Sequence, residues 1–497
     1  MMRKSGVLLP VASLPSRYGI GCFSKEAYQF VDQLEKCGQS FWQILPLGPT
    51  GYGDSPYQSC STFAGNPYFI DLEELQKMGW LSQEECDDCD FGKQEQKIDY
   101  HKLYLHREPL LRKAYERSGI VGDALFQQFC SEEATWLEDY CLYMVIKNTF
   151  NGARWHDWDE DIRFREEVAL RRYRREYEEE IIFYKFQQFL FSQQWKRLKN
   201  YANEKGIKII GDIPIYVALD SADTWATPEL FQFDEELLPI EVSGCPPDGF
   251  SSTGQLWGNP LYDWDYHEKT EYEWWCKRIN HNARLYDMLR IDHFRGLDEY
   301  YSIPYGDITA EFGSWREGPR MSFFKALWKR LGEVDIIAED LGFPTPGVSR
   351  LLSETCLPGM NVLQFAFDSR DAGNYLPYTY TVNSVVYTGT HDNNTTKAWY
   401  QELNTIDKKG ALEYLGRTGL KADEAVDIMI RMALGSVAKL CVIPIQDYLH
   451  LGAQARINTP STLGDNWTWR LKEGEITSAI TKEIKELSRI YGRAGQK

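Results

Sequence analysis

The chain has 497 residues, 43% of them hydrophobic, enough for two to four ordinary domains or for one large barrel with insertions. Lys and Arg number 55 against 73 Asp and Glu, a net charge of −18. That balance argues against a nucleic-acid or anionic-membrane surface, because both partners reward clustered positive charge. Aromatic residues make up 14% of the chain; flat rings stack well on sugar C–H faces, although most large aromatics in an enzyme fill core.

From the N-terminus, the apolar stretch before Pro10 is too short for a signal peptide, and Pro10 and Ser13 interrupt it. No run approaches the ~18 apolar residues of a membrane span. The 11 cysteines are scattered. Cys86 and Cys89 form a C-x-x-C pair, but acidic residues surround it and no second ligand pair follows. Zinc and redox roles therefore give way to free thiols in a reducing compartment, and a cytoplasmic location is expected.

Short apolar runs at 6–11, 41–47, 207–215, 288–294, 335–339, 361–367, 384–390 and 440–445 read as strands covered on both faces. Eight of them, separated by helical stretches, predict an α/β fold: a (β/α)8 TIM barrel with helical and loop-rich insertions. The whole chain, 1–497, reads as one catalytic barrel. A mostly helical insertion is expected at about 73–200, and a loop-rich one, serving as an active-site lid, at about 216–286. Within the first, residues 163–180 are dominated by Arg and Glu and read as a solvated face with intrahelical salt bridges. Phe183, Phe186, Phe189, Leu190, Phe191 and Trp195 then recur at helical spacing and read as core. The stretch beyond residue 445 is too short for a C-terminal β-sandwich domain.

Three of the eight strands end on acidic residues: Asp292, the pair Glu339-Asp340, and Asp392 just beyond His391. A carboxylate at the C-terminal end of a barrel strand faces the mouth, where barrel enzymes do chemistry. Several together suggest cleavage of a sugar bond, which in retaining enzymes needs a carboxylate nucleophile and a second carboxyl group as proton donor. Arg290 and Asp292 lie two apart and share a strand face. An arginine beside a carboxylate favours the charged form that a nucleophile requires. Glu339 and Asp340 are adjacent, so one of them faces the mouth squarely; the spacing does not choose between them. His391 and Asp392 suit hydrogen bonding to sugar hydroxyls. The histidines show no H-E-x-x-H or H-x-H spacing, so neither a metal nor another cofactor is expected.

Together with Gly51–Gln58, Gly211–Val217, Trp257–Tyr262, Arg290–Gly296, Ala338–Gly342, Gly389–Thr395 and Arg456–Pro460, these segments resemble the 4-α-glucanotransferases (amylomaltases, or disproportionating enzymes, of the α-amylase superfamily). The resemblance runs nearly end to end. It implies a retaining transfer of α-1,4-glucan segments from a maltooligosaccharide or starch donor to the 4-hydroxyl of an acceptor glucan or glucose. Asp292 would be the nucleophile, Glu339 the acid/base and Asp392 the transition-state stabiliser. Tyr57, Asp212, Asp248, Gln255, Trp257, Arg290, His391 and Asn458 would contact substrate, and Tyr52 would mark a secondary glucan site. The chain departs from the family at Ser461, where a glycine commonly follows the proline. Two rival readings are an α-amylase-like hydrolase and a non-catalytic glucan-binding barrel.

Overall fold

The computed structural model describes residues 3–51, 53–247, 251–342, 345–370 and 375–495. In chain order its strands are β1 (Lys4–Leu8), β2 (Phe41–Gln43), β3 (Lys208–Pro214), β4 (Glu241–Cys245), β5 (Gln255–Pro260) and β6 (Met288–Asp292). They continue with β7 (Glu299–Pro304), β8 (Ser314–Glu317), β9 (Ile336–Ala338), β10 (Gly359–Val362), β11 (Ser384–Tyr387) and β12 (Leu440–Pro444). Eight of them form one sheet in the order β10-β11-β12-β1-β2-β3-β6-β9, with every neighbouring pair parallel. These are the eight apolar runs read from the sequence, and they are almost entirely buried because helices cover the outer face while side chains fill the interior.

The ends of this order, β9 and β10, share no ladder among the described residues. Instead the Ala338 N–H donates to the Pro358 carbonyl at 2.9 Å. The Met360 N–H donates to Asp340 Oδ1 at 2.7 Å, so a side chain completes the closure. Gly359 is required here, since a Cβ would sit 2.6 Å from Asp340 Oδ2.

Most strands end before their apolar runs do. The run at 361–367, expected as strand, is strand only to Val362 and then winds into a 3₁₀ turn over Leu363–Phe367. The run at 288–294 stops at Asp292 because His293 adopts a left-handed backbone, φ 51°. Apolar residues persist past the strand ends because the turns at the mouth are themselves buried.

Between β2 and β3 the chain is mostly helical, including Tyr100–Ser118, Ala134–Thr149 and Glu178–Glu204. The last of these buries Phe183, Phe186, Phe189, Leu190, Phe191 and Trp195, as their spacing predicts. The charged stretch before it corrects the expectation of intrahelical pairs. Arg171–Glu167 is such a pair at 3.8 Å, but Arg165–Asp139, Arg172–Asp161 and Arg112–Glu180 tie neighbouring segments at 2.7, 2.9 and 2.6 Å. Helices crowd alongside this segment, so partners from other elements lie nearer than those a turn away.

The 216–286 stretch carries β4 and β5, which join β7 and β8 in a second, antiparallel sheet of order β5-β4-β7-β8. The sequence reading did not find this sheet. Its strands interleave with Gly and Pro and are partly exposed, so neither strict alternation nor a continuous apolar run marks them. Among the described residues no helix is long and apolar enough to cross a membrane.

Candidate active site

The C-terminal ends of β3, β6 and β9 lie side by side and bring a chain of charges to the mouth. Arg290, buried on β6, donates from Nη1 to Asp212 Oδ2 on β3 at 2.6 Å and from Nη2 to Asp292 Oδ1 at 2.7 Å. Residues 290 and 292 share a strand face, so a single guanidinium reaches both carboxylates. The Tyr57 hydroxyl donates to the same Asp212 oxygen at 2.8 Å. Burial pushes the Asp212 carboxyl up, while Arg290 and the Tyr57 hydroxyl on its Oδ2 pull the other way. At Arg290 burial disfavours the cation, but Asp212 and Asp292 outweigh it and raise its pKa well above the ordinary value.

Glu339 is the residue of the 339–340 pair that faces the mouth. Its Oε2 accepts the His293 N–H at 2.7 Å and its Oε1 the Leu341 N–H at 2.9 Å. The left-handed turn at His293 aims that N–H across to Glu339 and so locks the acid beside the end of β6. Burial first, and then the neighbouring Asp292 charge, raise the Glu339 carboxyl to about 7 against the pull of Arg290. Asp340 turns the other way, into the β9–β10 closure.

Asp392 follows β11. Its Oδ1 accepts from Asn458 Nδ2 at 2.7 Å, and its Oδ2 lies 3.3 Å from His391 Nε2. Burial works against the Asp392 charge, yet His391 and Asn458 hold its carboxyl below the usual carboxylate range. Asp392 in turn lifts His391 above the ordinary imidazole value, although burial opposes it. The Tyr57 ring stacks on the His391 imidazole, with centroids 5.2 Å apart and planes 13° from parallel.

Asp292, Glu339 and Asp392 open into a cleft of about 1300 Å³, which Tyr57, Gln255, Trp257, Arg290, His391 and Asn458 also line. Gln255 and Trp257 are two apart on β5, on one face, and the indole N–H donates to Gln255 Oε1 at 3.2 Å. The second sheet therefore supplies one cleft wall. Asp212, expected among the substrate contacts, has a fully buried side chain and does not line the cleft; it acts through Arg290 and Tyr57. Asp248 and Tyr52 lie outside the described residues, as do Gly249 and Phe250. The sequence reading missed Trp467, Gln364, Phe365 and Phe367, all of which line the cleft. In a chain with 70 aromatic residues (16 Trp, 30 Tyr and 24 Phe), no local signal separated these rings from core. Among the described residues, no group of three or more His, Cys, Asp or Glu could hold a metal ion, and no disulfide joins two cysteines.

A mouth carboxylate fixed by a buried arginine, a second carboxyl raised by its surroundings and a third held ionised are an arrangement suited to chemistry at a glycosidic bond. Comparison with known proteins agrees. A family model described as 4-alpha-glucanotransferase matches residues 9–477. The chain belongs to the 4-alpha-glucanotransferase family. It is 47% identical over 486 residues to a 4-alpha-glucanotransferase of Clostridium butyricum, covering 97% of this chain and 99% of that protein. It is also 47% identical over 498 residues to one of Streptococcus pneumoniae, covering 99% and 98%. Among solved structures, an amylomaltase from Streptococcus agalactiae in complex with acarbose superposes with a TM-score of 0.95 at 40% identity, covering 99% of this chain and all of that one. The barrel fold of that family is thus the fold of this chain.

Proposed function

We propose that this 4-alpha-glucanotransferase family member moves α-1,4-glucan segments from a maltooligosaccharide or starch donor to the 4-hydroxyl of an acceptor glucan or glucose, by retaining double displacement. Arg290 holds Asp292 Oδ1, leaving Oδ2 to attack the anomeric carbon. As the C1–Oδ2 bond forms, the glycosidic C1–O4 bond breaks and the Glu339 proton passes to the departing O4. The acceptor 4-hydroxyl then attacks C1, its proton returns to Glu339, and Asp292 leaves as the carboxylate. Asp392, held ionised by His391 and Asn458, grips hydroxyls of the distorted ring and strengthens its hold as positive charge develops. The observation that carries this reading is Glu339, raised to about 7 and backbone-bonded to the residue next to Asp292. Such a carboxyl can give a proton and take it back near neutrality.

Transfer competes with water, so the site must orient an acceptor or exclude solvent. Residues 251 and 253–255 line the cleft beside Trp257, and the loop that includes them is the donor's cover in this reading. Incubation with maltotriose tests the whole proposal. A transferase makes a ladder of longer and shorter glucans, a hydrolase only shorter ones, and a binding protein neither. Trimming residues 249–252 should raise glucose release, corrected for transfer products, relative to the ladder; an unchanged ratio removes the cover from the account.

A further inference from the structure

The loop from Asn458 to Trp467 carries more strain than its surroundings. Three non-glycine residues within seven positions have left-handed backbones: Ser461 at φ 62°, Asp465 at 53° and Trp467 at 64°. Such conformations cost roughly 1 kcal/mol or more each and persist where the surroundings over-determine them. Ser461 holds a left-handed backbone of the kind that glycine adopts most readily.

Two stitches close this loop at its base. The Trp467 N–H donates to the Ile457 carbonyl at 2.7 Å. Asn466 Oδ1 accepts the Thr459 N–H at 2.9 Å, while its Nδ2 donates to the Thr462 carbonyl at 3.0 Å and to Thr462 Oγ1 at 3.1 Å. The helical segment between β2 and β3 braces the outside: the Tyr100 hydroxyl donates to the Trp467 carbonyl at 3.0 Å, and Lys97 pairs with Asp465.

Both ends of the stitched loop meet the same functional group. Asn458 holds Asp392 Oδ1. At the other end the Trp467 indole leans on both rings of the stacked pair, with centroids 5.7 Å from Tyr57 and 6.1 Å from His391 and planes tilted 40° and 37°. A ring tilted against two parallel rings acts as a wedge that stops either from rotating. If the His391 ring turned, its Nε2 would leave Asp392 Oδ2; if the Tyr57 side chain swung about its Cα–Cβ bond, its hydroxyl would leave Asp212.

We propose that Trp467 and Asn466 are positioning residues for the transfer reaction: Asn466 fastens the loop, and Trp467 wedges the Tyr57–His391 stack so that Asp392 and the sugar it grips are held in reacting geometry. This rests on the transfer reading of the same cleft. Misplacement of about 1 Å at a reacting centre costs on the order of 10²-fold in rate. The loss should therefore fall on kcat, with ground-state binding largely kept.

The test compares Asn466→Ala, Trp467→Ala and Trp467→Phe in the full-length protein. Maltotriose turnover is measured per folded molecule, and maltohexaose affinity is measured in an Asp292→Asn background that cannot turn over. The expectation is a loss of about tenfold in kcat for Asn466→Ala and about 100-fold for Trp467→Ala. Trp467→Phe should restore most of the latter loss, and maltohexaose affinity should change less than about threefold throughout. Unchanged kcat in folded Trp467→Ala would overturn the proposal, as would unchanged kcat in folded Asn466→Ala if Trp467→Ala failed to fold. So would affinity falling in step with kcat, which would make Trp467 a plain binding contact. A wild-type protein that makes no ladder from maltotriose would instead sink the transfer reading itself.

Discussion

Arg493 and Arg290 are both buried guanidinium groups, one at the N-terminal end of the barrel and one at its mouth. The Arg493 guanidinium meets only neutral oxygens among the described residues, four main-chain carbonyls and the Ser436 hydroxyl. It donates to the carbonyls of Leu434 and Lys4 at 2.6 and 2.9 Å, and to those of Ser436 and Ala438 at 3.1 and 2.9 Å. No carboxylate shares that set, and burial lowers its pKa from the ordinary arginine value. Arg290 sits between two carboxylates, and its pKa rises instead. Carbonyl partners lock strand ends together and leave nothing to react. Carboxylate partners keep one oxygen of Asp292 fixed while the other faces the cleft. The same side chain thus staples the fold at one end and arms the chemistry at the other.

Four substitutions or titrations separate these two roles. The largest effect is expected for Asp292→Asn, which removes the attacking oxygen's charge: kcat for maltotriose disproportionation should fall by about 10⁴-fold or more while glucan binding survives. Retained turnover would remove Asp292 from the nucleophile role. Next, Arg290→Lys keeps a positive charge but cannot reach Asp212 and Asp292 together, so kcat should drop about 10²-fold to 10³-fold. A near-normal rate would mean that charge alone, without the fork, suffices. Arg493→Met should do the opposite. It leaves buried carbonyls without donors and should cost about 3 kcal/mol of stability, seen as a lower midpoint in denaturant, with kcat per folded molecule unchanged.

The mildest change is in pH. In the proposed mechanism Glu339 must hold a proton to act on the leaving oxygen, and burial and Asp292 raise its pKa to about 7. Log kcat/KM should therefore be flat below neutrality and fall as pH rises through about 7, because the free protein loses that proton. A profile that stays level to pH 9 would place the acid elsewhere.

The barrel was legible because each strand is a dense apolar run, and such runs survive in any sequence that must bury both faces of a sheet. The antiparallel sheet was not, since one of its edges, β8, is exposed along its whole length and glycines break the pattern of β4 and β5. Asp292 and Asp392 could be found because acidic residues at strand ends are conspicuous. Spacing did not choose between Glu339 and Asp340, and the resemblance named Glu339; the coordinates add the geometry, in which one residue's step past the end of β9 turns Glu339 to the mouth and Asp340 to the seam. Asp212 stood out by motif, but it is buried beneath the cleft, where its partners are Arg290 and Tyr57. Trp467 had no local mark at all, because the rings it touches, Tyr57 and His391, come from distant parts of the chain.

The seam between β9 and β10 carries a consequence for motion. Elsewhere around the barrel, neighbouring strands are sewn by a ladder; here one backbone hydrogen bond, from the Ala338 N–H to the Pro358 carbonyl, and the Asp340 clasp on the Met360 amide make the join. A cylinder with one such clasp breathes there first, and amide exchange at Met360 should outpace that at the centres of β1 and β12. The clasp adjoins Glu339 in the chain, so a parting of the seam would carry the proton donor with it. Barrel rigidity and acid placement are therefore one mechanical variable, and a substitution that loosens the closure should appear as a wandering proton donor before it appears as unfolding.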